Sequence, residues 1–400
     1  MPQLSHAIKR IKPSPTVALT GRVAELRAQG RQIISLGAGE PDFPTPVHIA
    51  DAAVDAIRAG KTRYTAPDGI AELKDAVARK FERDNALNYA SNEIIVGTGG
   101  KQVLFNALLA TLNAGDEVII PAPYWVSYPD IVRFAGAVPV IVPAAAPSFK
   151  LTPTALAAAL TPQSRWLILN SPGNPTGAVY TADEVAALLD VLRDHPQVML
   201  LSDDIYEHLT FGDVRFATAP QIDPAFKERT LLLNGVSKAY AMTGWRIGFG
   251  AGPADLIGAM KKLQGQSTSN PCTISQWASV TALDGPQDTL APQRTLFQRR
   301  RDALVAGLNA VSGITCPMPD GAFYVFPGIG GLLGKTSPGG RAIDTDLAFA
   351  EALLEEADVA VVPGTAFGAP DNFRISYAAS DDDLTEATAR IAAFCAGLTS

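Results

Sequence analysis

RWLILNSPGNPTGAVYTADEVAALLDVLRD, residues 165–194, holds the fold in miniature. Its first half is a short apolar run with no polar face, which suits a strand covered on both sides. Two prolines and two glycines halt it around Asn174, and a helical pattern follows from Thr181. Outward from there the unit repeats. EIIVGTGG (93–100) feeds the helix KQVLFNALLATL (101–112), and DEVIIPAPY (116–124), VPVIVPA (138–144), VMLLSDDIY (198–206) and TLLLNGVSK (230–238) are further runs closed by turn residues. Strand and helix in alternation imply right-handed crossovers and a mostly parallel sheet with helices on it, an α/β architecture. Upstream, VHIADAAVDAIRAG (47–60) and ELKDAVARKFERDN (72–85) read as helices, the first stopping at Gly60.

Beyond about residue 290 the texture changes. A basic helix, QRTLFQRRRDALVAGLNAV (293–311), leads to the strand-like GAFYVFPG (321–328), the helix DLAFAEALLEEAD (346–358) and the strands VAVVPG and NFRISYA. This predicts a smaller α+β domain over 291–400, a large domain over 46–290, and a proline-punctuated arm over 1–45 that joins the small domain. The three adjacent arginines Arg299, Arg300 and Arg301 read as a solvated helix face.

Composition closes off several classes. The net charge is −7 with 47% hydrophobic residues, so the chain can bury a core and lacks the basic balance of a nucleic-acid protein. Cys272, Cys316 and Cys395 form no CxxC pair, which suits free thiols in the cytoplasm. No apolar stretch suggests a signal peptide or a membrane span. GIGGLLGKT (328–336) lacks the phosphate-loop glycine five residues before Gly334 and reads as a flexible surface loop. His6, His48, His195 and His208 have no metal-ligand spacing, and no Gly-x-Ser-x-Gly elbow offers a serine nucleophile.

In open parallel sheets, ligands gather outside the carboxyl ends of the strands. After EIIV, Thr98, Gly99 and Gly100 open a helix at Lys101, and bare N–H groups there suit an anion, although such glycines also serve tight turns. Asn174 sits in a turn from which its amide donates to a ligand oxygen or closes an Asx turn. Asp203, Asp204 and Tyr206 follow VMLL, and a carboxylate buried there needs a cationic partner. Ser237 and Lys238 follow LLLN, with Arg246 close behind; a desolvated lysine is nucleophilic toward an aldehyde. Anion cup, oxygen donor, buried anion, amine and arginine together match the phosphate, phenolic oxygen, pyridine nitrogen and aldehyde of pyridoxal 5'-phosphate.

The strings GEPDF, GGKQVLFNALLA, PYWVSYPDIVRFAG, NSPGNPTGAVY, SDDIYEHL, SKAYAMTGWRIG and FRISYA span nearly the whole chain. In order and spacing they resemble the class I aminotransferases of pyridoxal-phosphate fold type I, in the bacterial aspartate aminotransferase branch. The resemblance implies a seven-stranded, mostly parallel sheet in the large domain and a homodimer with shared sites. It implies that Lys238 bonds the cofactor aldehyde and shuttles the substrate proton, and that Asp203 pairs with the pyridine nitrogen. Asn174 and Tyr206 would meet the phenolic oxygen, Trp125 would stack on the ring, and Gly99, Gly100, Lys101, Ser237 and Arg246 would hold the phosphate. Tyr64 would reach the cofactor of the neighbouring subunit.

Arg374, helped by the Gly39 backbone, would clamp the substrate α-carboxylate. Lys101 and Thr16 would meet a distal carboxylate, and Lys12 matches a position linked to prephenate. Gly235 stands where many such relatives have serine, so one phosphate donor is missing or comes from another group. The implied reaction is a ping-pong exchange between aspartate and 2-oxoglutarate, with prephenate as a further acceptor. An aromatic aminotransferase or a C–S lyase on the same fold, and a ligand-sensing regulator, are the alternatives.

Overall fold

Seven strands form the central sheet of the computed structural model, which describes residues 3–399: β1 (Ile94–Gly97), β2 (Glu117–Ala122), β3 (Val138–Pro143), β4 (Ser164–Asn170), β5 (Met199–Asp203), β6 (Thr230–Gly235) and β7 (Gly248–Ala251). Their order is β1-β7-β6-β5-β4-β2-β3. All are parallel except β7, which runs against both neighbours. Every residue of β1 and of β6 is buried, as unbroken apolar runs demand of strands covered on both faces.

The helix Ala182–Arg193 starts where Thr181 and Glu184 cap each other: Glu184 N donates to Thr181 Oγ1 (3.2 Å) and Thr181 N donates to Glu184 Oε2 (2.8 Å). The helix Gly100–Thr111 lies directly on β7. A Cβ on Gly250 would meet Val103 Cγ1 at 2.7 Å, and one on Gly248 would meet Gly100 N at 2.2 Å. Only glycine allows that approach, so β7, with the sequence GFGA, carries little apolar signal of its own.

A second core gathers Phe297, Leu304, Phe323, Phe349, Phe373 and Phe394 around a three-stranded antiparallel sheet, with Phe373–Ser376 central between Val362–Pro363 and Tyr324–Val325. Tyr206, Leu209 and Phe211, just after β5, join this core and tie it to the large sheet. The N-terminal arm packs here too. Its Ile34–Ser35 pairs in parallel with Val359–Ala360, and Val23 and Leu26 pack on Leu354 and Ala360.

The arm holds an element that the sequence did not announce, and two expectations need correction. The arm contains a 14-residue helix, Pro15–Ala28, whose proline sits in the first turn, where no N–H is required. Arg300 and Arg301 are buried, not solvated: Arg300 bridges Asp42 and Asp381 (2.8 Å each), and Arg301 Nη1 donates to Pro319 O at 2.9 Å. The 328–336 loop is not loose at the surface, since Ile329 and Leu332 are fully buried in the second core. Among the described residues, no helix is long and apolar enough to cross a membrane.

Candidate active site

The carboxyl ends of β1, β4, β5 and β6 open onto one cavity of about 410 Å³. It is lined by Thr16, Gly39, Gly100, Lys101, Trp125, Asn174, Asp203, Tyr206, Ser237, Lys238, Arg246 and Arg374. Those residues come from segments up to some 350 positions apart, and the fold brings them to one place.

Asp203 ends β5 and is buried. Tyr128 OH donates to its Oδ2 at 2.6 Å and Ile205 N to its Oδ1 at 3.4 Å. Burial still dominates and pushes the carboxyl up to about 6, although the Tyr128 bond pulls the other way. Lys238 Nζ donates to Gly39 O at 2.5 Å, and burial brings its ammonium down to about 8. A near-neutral amine close to a buried carboxylate is the combination that covalent and proton-transfer chemistry requires.

Asn170, at the end of β4, sets the neighbouring turn: its Nδ2 donates to Asp203 O (2.9 Å) and its Oδ1 accepts from Asn174 N (2.7 Å). Asn174 Oδ1 in turn accepts from Arg374 Nη1 at 2.8 Å, and Arg374 Nη2 donates to Gly37 O at 2.6 Å. The guanidinium lies 4.6 Å from the ring centre of Tyr324 and 5.0 Å from that of Phe367. Its Nε is buried without a partner among the described residues. A buried cation with an unused donor calls for an anion.

At the other end, Gly99 (φ +79°) turns the chain into the helix Gly100–Thr111. A Cβ there would meet Arg246 Nη2 at 2.2 Å, so this glycine leaves the guanidinium its place beside the helix N-terminus. Arg246 Nη1 is steadied by Thr243 O at 2.8 Å. Ser237 and the first N–H groups of the helix complete a cup of anion donors. Lys101 Nζ sits 4.9 Å above Trp125, and desolvation, aided by Arg246, lowers its pKa.

The position of Gly235 is crowded. A Cβ would meet Gly248 Cα and Ile247 O at 3.0 Å and Ile205 Cδ1 at 3.2 Å, so a side chain at this position would require neighbouring backbone to move. Lys12 and Tyr64 are exposed and do not line the cavity, Tyr64 being 92% exposed. Thr16 does line it, with its hydroxyl 2.9 Å from that of Ser14.

Sequence reading missed Tyr128, Asn170 and Tyr324. Tyr128 opens the helix Ser127–Ala135 three residues after Trp125 in the quoted PYWVSYPD; both rings line the cavity, and their edge-to-face contact is 5.4 Å between centres. Tyr324 lay inside a strand-like run and carried no separate signal.

The sequence model of the family described as aminotransferase class I and II matches residues 31–391. A protein of Cereibacter sphaeroides described as aspartate/prephenate aminotransferase is 61% identical over 99% of both chains. An aspartate aminotransferase of Rhizobium meliloti is 54% identical over 98% of this chain and 96% of its own. Among solved structures, the aspartate aminotransferase from Rhizobium meliloti superposes with a TM-score of 0.96 at 54% identity, covering 99% of this chain and 100% of its own. That of Thermus thermophilus, solved with maleate, gives 0.91 at 44% identity over 98% and 100%.

Proposed function

We infer the reaction from one premise: this chain belongs to the class I and II aminotransferase family and is an aminotransferase. We propose that it moves the amino group of L-aspartate to 2-oxoglutarate, yielding oxaloacetate and L-glutamate, with pyridoxal 5'-phosphate as cofactor. The observation that carries this reading is the grouping of the buried Lys238 amine, the buried Asp203 carboxylate and the unpartnered Arg374 Nε in one cavity.

The residues suit the cofactor part by part. Arg246, Ser237 and the start of the helix Gly100–Thr111, with Gly99 and Lys101, would hold the phosphate. Asp203 would face the ring nitrogen, Asn174 and Tyr206 the phenolic oxygen, and Trp125 one face of the ring. When bound, pyridoxal phosphate supplies an aldehyde for the amino group and a ring that withdraws electrons from the substrate Cα.

The protein supplies position and protons. Lys238 Nζ holds and moves the proton, helped by burial that favours its neutral form near pH 8. Tyr128 fixes the rotamer of Asp203, whose negative charge becomes favourable once a cation faces it. Arg374, rigid between Tyr324 and Phe367, binds the α-carboxylate through a planar fork that lysine lacks. Lys101 and Thr16, at the rim, would meet the distal carboxylate.

The same reading divides the chain into an arm (1–45), a large domain (46–290) and a small domain (291–400). In its support, Leu290 packs with the large-sheet helices whereas Phe297 belongs to the second core. It also takes the enzyme as a cytoplasmic homodimer in which the exposed Tyr64 serves the partner's site, in keeping with three free cysteines.

Absorbance of the purified protein loaded with pyridoxal phosphate tests the proposal. Aspartate should shift the spectrum and 2-oxoglutarate restore it. A preparation that stays colourless with the cofactor, or is indifferent to both acids, overturns it. Prephenate is the second acceptor to try, given the Cereibacter relative's description. If Lys12 serves that acceptor, Lys12→Ala lowers turnover with prephenate relative to 2-oxoglutarate, and an unchanged ratio removes Lys12 from the site.

A further inference from the structure

Tyr324 comes from the small antiparallel sheet, yet it lines the cavity at the carboxyl ends of the large-sheet strands. It lies 2.8 Å from the hydroxyl of Tyr206, and both rings are buried. Its ring lies against the Arg374 guanidinium. The hydroxyl also presses on the arm, since a Cβ on Gly39 would meet it at 2.8 Å. Gly39 is the residue whose carbonyl accepts from Lys238 Nζ. One phenol thus touches the surroundings of the amine, the carboxylate clamp and Tyr206 at once.

Hydrogen counting decides its use. Both phenols are neutral, because burial raises the pKa of each and most strongly that of Tyr206. Each hydroxyl therefore has one hydrogen to give, and only one of the two can be spent within the pair. If Tyr206 donates to Tyr324, nothing remains at Tyr206 for a ligand oxygen. If Tyr324 donates, the Tyr206 hydrogen is released into the cavity, and its oxygen, polarised by the incoming bond, becomes a stronger donor.

We propose that Tyr324 is a positioning residue for the transamination site: its hydroxyl donates to Tyr206 and thereby turns the Tyr206 proton toward the phenolic oxygen of the cofactor. The inference rests on the proposed cofactor and adds the residue that sets the direction of its hydrogen bond. Because Tyr324 also packs on Arg374, a carboxylate drawn to that arginine acts on the same phenol. Recognition of substrate and tuning of the cofactor then share one side chain.

The test is spectroscopic. Wild type, Tyr324→Phe, Tyr206→Phe and the double variant are loaded with pyridoxal phosphate, and absorbance is followed from about pH 5 to 10. A bond donated to the phenolic oxygen favours its charged form. Tyr324→Phe, which keeps the packed ring and removes one hydroxyl, should therefore raise the chromophore pKa by roughly half a unit to one unit. Tyr206→Phe should raise it further, and the double variant should match Tyr206→Phe, since Tyr324 acts through Tyr206. A wild type that takes up no cofactor overturns the proposed function itself. A wild type that titrates normally while Tyr324→Phe titrates at the same pH overturns the positioning role alone. So does a further shift when Tyr324→Phe is added to Tyr206→Phe.

Discussion

Asp203 and Glu207 are buried carboxylates four residues apart at the same end of the sheet, and they are treated in opposite ways. Glu207 is surrounded. Lys80 forms a direct ion pair with it, Asn234 Nδ2 donates to its Oε1 at 2.8 Å, and Asn85 Nδ2 donates to its Oε2 at 3.0 Å. Burial opposes its charge, yet Lys80 and these donors bring the carboxyl down to about 2. Asp203 has a phenol and one long backbone bond, with no cation in contact, and burial holds it up at about 6. The first site is complete and ties the helix Ala71–Asn85 to β6. The second is short of a partner, as is Arg374 Nε nearby. Incomplete pairing among buried charges marks where a ligand belongs, and complete pairing marks scaffold.

The largest expected effect separates the two regions by chemistry. Lys238→Ala should lower turnover of aspartate with 2-oxoglutarate by about 10⁴-fold or more, read from steady-state kinetics. A variant within a hundredfold of wild type would remove the amine from the mechanism. Glu207→Gln should act on stability instead. It leaves the buried Lys80 with only the longer Asp84 contact, 3.9 Å away, as counter-charge, at a cost of about 3 kcal/mol, seen as a lower denaturant midpoint. A smaller loss, below about 1 kcal/mol, would mean that water reaches Lys80 and that the pair is not scaffold.

Asp203→Asn sharpens the contrast, because it deletes a charge that burial already disfavours. Apoprotein stability should hold or rise, while cofactor-dependent turnover falls by about 10²-fold. A fall in stability comparable to that of Glu207→Gln would erase the distinction.

How far each region could be read from sequence follows the same physics. The runs of β1 to β6 announce themselves, because a strand buried on both faces must be apolar throughout. Residues at their ends, such as Asp203 and Lys238, stand out because polar groups there are expensive. Strand β7 does not announce itself: Gly248 and Gly250 are dictated by a helix lying against them, a tertiary demand with no periodicity. Tyr128 and Tyr324 are aromatic residues in apolar surroundings, and only three dimensions show that their hydroxyls meet Asp203 and Tyr206. Arg300 and Arg301 read as solvated because three arginines in a row usually are. Here Asp42 and Asp381, from distant segments, supply the partners that make burying Arg300 tolerable. Pairing across the chain decides whether a charge can be buried, and that pairing is what a single sequence conceals.

The mildest prediction uses pH alone. Glu207 is depressed from 4.5 to about 2, so its stabilisation is fully present above pH 4.5 and is lost as pH falls through that interval. Asp203 is raised from 3.8 to about 6, so the folded apoprotein binds its proton more tightly than the unfolded chain does. Its contribution is present below pH 3.8 and is lost as pH rises toward 6. Between pH 4.5 and 6 the first carboxylate is silent and the second titrates. Across that window the wild-type apoprotein should lose about 1 kcal/mol per pH unit relative to Asp203→Asn, measured from urea midpoints. Asp204, raised by burial to about 7, is present in both proteins and largely cancels. Saturating pyridoxal phosphate should flatten the difference, because a cation at the ring nitrogen removes the reason for Asp203 to hold its proton. A slope equal in wild type and variant, or one unmoved by the cofactor, would show that Asp203 already has a partner for its charge.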